Sequence, residues 1–125
     1  MALLHENLSG RILGCCLAVH RTLGPGFVES IYEAAVCLEL GKAGLAFERQ
    51  KEVVIRYDGV EIGRHRLDLS VEDQVVVELK AANAIEDVFL ARAKSYLKAA
   101  SRELALVVNF ARPTLEVKRV ILTNR

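Results

Sequence analysis

Three charged side chains stand where the chain is otherwise apolar. Glu78 and Lys80 interrupt the run Val75-Val76-Val77-Glu78-Leu79-Lys80-Ala81, and Asp68 lies ten residues before Glu78. Residues two apart on a strand project from the same face. An apolar run of this kind is usually covered on both faces, where a carboxylate or an ammonium is costly unless it is paired or holds a metal. Register arithmetic brings the third residue in. If Glu72-Asp73-Gln74 is a three-residue turn, Val71 faces Val75 and Asp68 falls across from Glu78. Opposed side chains lie roughly 5 Å apart. Two carboxylates that close repel, and one must titrate upward unless a cation joins them. A divalent ion resolves the conflict, since Mg²⁺ takes oxygen ligands and keeps several waters. Lys80 would then help to activate water or stabilise charge developing on a phosphate. Spacing alone also admits a three-member ion cluster, with Lys80 neutralising one acid and solvent reaching the other.

The elements that must position these residues follow from periodicity. Leu8, Ile12, Cys16, Val19 and Leu23 recur at helical steps, which predicts an amphipathic helix over Leu4 to Leu23, stopped by Gly24-Pro25-Gly26. A second helix is expected from about Val28 to Lys42, with Gly44 as its stop. The period then changes to two. Phe47 to Tyr57 and Val60 to Val71 read as a hairpin turned by Asp58-Gly59, followed by a strand from Val75. Asn83 and Glu86 resemble a capping box that opens a third helix to about Ala100. Strands Leu104 to Phe110 and Leu115 to Leu122 complete the order ααβββαββ, an α+β fold with a mixed sheet flanked by helices.

Composition bounds the function classes. The 125 residues are close to the common domain size, so a single domain is expected over 1–125. With 52% hydrophobic and 26% charged residues, the chain is neither disordered nor collagenous. No stretch approaches the ~18 charge-free apolar residues of a membrane span, so no membrane association is expected. Cys15, Cys16 and Cys37 fit no metal or redox spacing and read as reduced core thiols. The start MALLHENLSGR has polar and acidic residues before any apolar run, so no signal peptide is read there. Both features suggest a cytoplasmic protein.

The residues around these sites form a known pattern. Asp68 followed by Glu78-Leu79-Lys80 resembles the PD-(D/E)XK nuclease superfamily. Gly26-Phe27-Val28-Glu29-Ser30-Ile31-Tyr32 is similar to the motif of the bacterial GxxExxY family within it. So are His20 to Gly26, Glu48-Arg49-Gln50, Val77 to Ala81, Ser95 to Ala99 and Val108-Asn109-Phe110. The resemblance runs from about Leu8 to Leu122. It implies a restriction-endonuclease-like core, with Asp68 and Glu78 as ligands of Mg²⁺ (or Mn²⁺), Lys80 as the catalytic lysine and Glu29 as the helical acid. It implies hydrolysis of phosphodiester bonds in DNA or RNA. The chain is little more than such a core, so a homodimer would supply further recognition surface. His20 and Tyr32 are further site candidates. Their bland alternatives are a helix-terminal or core histidine and a half-buried aromatic.

Two positions depart from the pattern. Leu67, not proline, precedes Asp68. On the third helix Arg92 stands four residues before Tyr96, where related sequences usually carry Gln. Arginine cannot accept a hydrogen bond. It would contact a phosphate or pair with Glu78 in the cation's place. The second outcome would make the chain a catalytically degenerate module that binds nucleic acid or a protein.

The near-zero net charge of +1 is itself an average. Up to Ala91 there are nine Lys+Arg against fourteen Asp+Glu; from Arg92 onward there are eight against two. Arg92, Lys94, Tyr96, Lys98 and Arg102 are therefore the candidate nucleic-acid contacts. Lys94, Lys98 and Arg102 step by four along the third helix and its end, either as a phosphate track or as a solvated face.

Overall fold

A computed structural model of the protein describes residues 4–123. The order is α1 (Glu6–Leu23), α2 (Glu29–Lys42), β1 (Phe47–Tyr57), β2 (Val60–Val71), β3 (Val75–Lys80), α3 (Asp87–Ala100), β4 (Leu104–Asn109) and β5 (Glu116–Ile121). The expected ααβββαββ order is thus observed. The five strands form one mixed sheet in sequential order, antiparallel throughout except for the parallel β3–β4 pair.

That parallel pair is the centre of the molecule. All six β4 residues and the first five of β3 are buried. Such strands need cover on both faces. α1 and α2 bury Ile12, Cys16, Tyr32, Val36 and Leu40 against Val75, Val77 and Leu79. On the other face α3 sets Ala93 and Leu97 against Val76, Ala105 and Val107. Cys15 and Cys16 are buried free thiols as expected, and burial pushes Cys16 up to about 12. Cys37 is only half-buried, because it sits on the flank of α2 rather than its core face. No described helix is long and apolar enough to cross a membrane.

Turn chemistry sets the hairpins. Asp58 and Gly59 both adopt left-handed backbone (φ 51° and 76°), as a two-residue hairpin turn that matches strand twist requires. The second turn leaves Val71 facing Val75, Ser70 facing Val76 and Leu69 facing Val77, the register that the loop length implied.

The third helix starts later than its apparent capping box. Its N-cap is Glu86, which makes no side-chain cap bond, and not Asn83. The chain from β3 is held by other partners on the way. Asn109, fully buried, accepts from the Ala82 and Ala111 amides (3.0 and 3.2 Å) and donates to the Ala82 carbonyl (2.8 Å) and Glu116 (3.1 Å). Glu116 also accepts from the Ile85 amide, and Arg112 donates to the Asn83 carbonyl. Replacing Asn109 with Leu would strand several of these buried groups. Asn109→Leu is expected to destabilise the fold by about 2–4 kcal/mol, read from urea unfolding midpoints.

Candidate metal centre

The sheet opens where the three chemistry-bearing residues lie. The β2–β3 ladder runs to Leu69↔Val77 and there gives way to side chains. The Asp68 amide donates to Glu78 Oε2 (2.9 Å), and the Leu79 amide donates to Asp68 Oδ2 (2.9 Å). Each carboxylate satisfies an amide on the opposite strand, so the two acids lock the divergence around them.

β1 opens at the same level. Its ladder with β2 passes from Arg49↔Leu69 to Lys51↔Leu67 and skips Gln50 and Asp68. Gln50 is left-handed there (φ 53°), unusual for a residue with a side chain. Side-chain faces change over at this point. Phe47, Leu69 and Val71 pack toward α1 and α2, whereas Val53 and Leu67 join the core beneath α3. Simple alternation would put all five on one face. Asp68 therefore sits at the crossing of the two faces. Leu67, in place of a proline, fills the apolar layer beside it.

α2 completes the site. Glu29, in its first turn, accepts a hydrogen bond from the Ala81 amide (3.2 Å), just past Lys80. Glu33, one turn on, is buried and binds Arg49 Nε (2.6 Å) and Gln50 Nε2 (2.7 Å). With Ser30, Gln50, Asp68 and Leu79 these two acids line a cavity of about 230 Å³. Lys80 Nζ lies 5.0 Å from the centre of the Phe89 ring, on the α3 side.

Electrostatics reflect an excess of acid. Burial, then the charge of Asp68, pushes the Glu78 carboxyl well above the carboxylate range. Burial also raises Asp68, against the pull of the Leu79 amide. Lys80 draws both acids down, but not enough to offset burial. A buried and a half-buried carboxylate, both held toward protonation, are the donor set that a hard divalent cation suits. Among the described residues no three acidic, imidazole or thiol groups converge as a cage. A cation here would rest on Asp68 and Glu78 and complete its shell with water.

The remaining candidates divide. Tyr96 is near the acids, and its phenol is raised by burial first and by Glu78 next. Arg92, one turn before it, is exposed and makes no ion pair with Glu78 or Asp68. Lys94 and Lys98 are exposed on α3. Arg102 leaves the stripe, because Ser101 closes the helix in left-handed conformation and turns the chain. Its guanidinium then pairs with Asp73.

Tyr32 is fully buried, not half-buried. It stacks on Phe110 (4.6 Å between centres), donates to the Gly24 carbonyl and accepts from the Phe27 amide. It clamps the loop before α2 rather than facing the cavity. His20 is likewise a core anchor. Its Nε2 lies 2.8 Å from the Arg112 carbonyl, which can only accept, so Nε2 carries the proton. Glu33 escaped sequence reasoning. Its spacing of four from Glu29 on one helix was the available signal.

Two acids and a lysine at the diverging end of the central strands of a mixed sheet, faced by a helical acid, define a PD-(D/E)XK-type nuclease fold. The chain belongs to the PD-(D/E)XK nuclease superfamily, whose family model matches residues 6–120. Members of that superfamily generally use divalent metals and bind nucleic acid. No protein of curated function matches it. The crystal structure of SSO0001 shares the fold, with a TM-score of 0.59 at 15% identity over 77% of this chain and 50% of that one. The chain thus spans about half the length of that protein.

The raised Glu78 gives the stability a direction with pH. A folded-state pKa above the unfolded value means the folded protein holds its proton more tightly. That stability is fully present below the ordinary carboxylate range and is lost as pH rises through the raised value. Glu78→Gln keeps a neutral acceptor for the Asp68 amide. In metal-free buffer at pH 8 it should raise the melting temperature by several degrees, on the order of 1 kcal/mol or more, with little gain at pH 4. Thermal melts across that range check this.

Proposed function

We propose that this chain is a Mg²⁺-dependent nuclease of the GxxExxY group that hydrolyses phosphodiester bonds in DNA or RNA, with residues 1–125 acting as one nuclease-like domain. The observation that carries the reading is the reciprocal bonding of buried Glu78 and half-buried Asp68, with Lys80 as the cation acting on both. Asp68 and Glu78 would hold the ion. When bound, it would supply charge neutralisation at the phosphoryl group and a nucleophilic water at neutral pH.

The chain's own residues do the rest. Lys80 stabilises the negative charge that builds on the phosphate oxygens during attack. Glu29, held by the Ala81 amide, adds a carboxylate at the cavity mouth and orients water there. Glu33 positions Gln50 and Arg49, and so keeps β1 parted from β2 beside Asp68. Arg92 and Tyr96 face the approaching strand from α3. The exposed guanidinium, free of either carboxylate, supports a phosphate contact rather than a blocked site.

Purified protein with Mg²⁺ or Mn²⁺ is expected to cut single- or double-stranded DNA or RNA. Asp68→Ala and Lys80→Ala should each lose at least about 100-fold in rate while remaining folded by circular dichroism. Wild-type protein indistinguishable from both variants on every substrate would overturn the proposal.

A further inference from the structure

Beyond the carboxylates, the outer half of the β1–β2 hairpin leans over α3 and leaves a groove of about 480 Å³ between them. Its walls include Arg56 and His65 from the hairpin and Ser95, Lys98 and Ala99 from the helix. No acidic residue lines it, although the hairpin carries several acids. Two of those acids are engaged with another cation: Glu52 and Glu61 both bind Arg64, although Glu61 is also the cross-strand neighbour of Arg56. Arg56 and Lys98 are exposed and form no ion pair among the described residues.

The groove lies on the α3 face of the sheet, the face to which Glu78 and Lys80 alternate with Val76. His65 packs edge-on against Tyr96, 4.6 Å between ring centres. Tyr96 in turn feels the charge of Glu78, Arg92 and Asp68. Glu78 and Lys80, Arg92 and Tyr96, His65, and Arg56 and Lys98 thus all lie along the α3 side of the sheet. The positive charge along it is supplied by both the hairpin and the helix.

The geometry points to this groove as the track for the phosphodiester backbone of one nucleic-acid strand, flanking the bond at Asp68 and Glu78. The assignment rests on the nuclease reading and adds Arg56 and His65, two residues from the acidic part of the chain. Backbone phosphates suit it because the groove offers cations with no base-reading carboxylate or amide. Arg56 forks onto phosphate oxygens and Lys98 supplies a point charge from the opposite wall.

The test is fluorescence anisotropy with labelled single-stranded and duplex DNA and RNA in metal-free buffer, over a salt series. Arg56→Gln/Lys98→Gln is expected to bind roughly tenfold more weakly at low salt, with a log–log salt slope shallower by about 1.4 on single strands. Lys118→Gln, an exposed cation on β5 away from the groove, should match wild type. If wild type cleaves and the double variant keeps wild-type affinity and slope, the groove assignment is overturned and the nuclease reading stands. If wild type neither binds nor cleaves any of the four substrates, the nuclease reading fails and takes the groove with it. A loss confined to single strands, or equally to DNA and RNA, supports the assignment and identifies the strand it takes.

Discussion

Asp68 and Glu78 each use a carboxylate oxygen to accept an amide that a regular ladder would have paired with a carbonyl. That exchange is the constraint around which the rest of the molecule is arranged. A charge-assisted bond of this kind contributes about 1.5–3 kcal/mol, whereas removing a carboxylate from water costs several. The pair is therefore unlike a stabilising salt bridge. It is tolerated because the surrounding sheet is held by a core that needs no help from it, with Val75, Val77, Leu104 and Leu106 buried under two helices on one face and Val76, Ala105 and Val107 under a third on the other.

The same constraint explains the irregularities nearby. Once Asp68 turns out of the β2–β3 ladder, β1 cannot stay regular beside it. Gln50 takes the left-handed conformation and the hairpin exchanges its faces. Glu33 then has a structural reason to be buried: it accepts from both Arg49 and Gln50 at the point where β1 departs.

Much of this was legible in the sequence, because period and turn chemistry are local. The Glu72-Asp73-Gln74 turn set the β2–β3 register to the residue, which put Asp68 opposite Glu78, whereas the register begun at Asp58-Gly59 shifts by one between Ile55 and Arg56. What was not legible depended on contacts between distant segments. Asn83 had the local chemistry of a cap, but Arg112 and Asn109 claimed the linker around it. Arg102 followed a helical step on paper, but Ser101 ended the helix and Asp73 took the guanidinium. Tyr32 and His20 carry side chains that suit a site, yet each is occupied by a backbone carbonyl that no periodicity could reveal. The face exchange at Asp68 was invisible for a related reason, since alternation assumes an unbroken ladder.

The parallel pairing of β3 with β4 also bears on how the chain must come together during synthesis. β3 emerges with its valine run and can pair at once with β2, but its other edge stays open until α3 and then β4 have been made. For that interval it is an apolar, β-branched strand edge of the type that recruits other chains. The charged positions next to it, Glu72, Asp73, Glu78 and Lys80, interrupt the apolar stretch at both ends and would act as gatekeepers. The acids read as metal ligands therefore have a second consequence, in keeping the unfinished sheet from finding a stranger's strand.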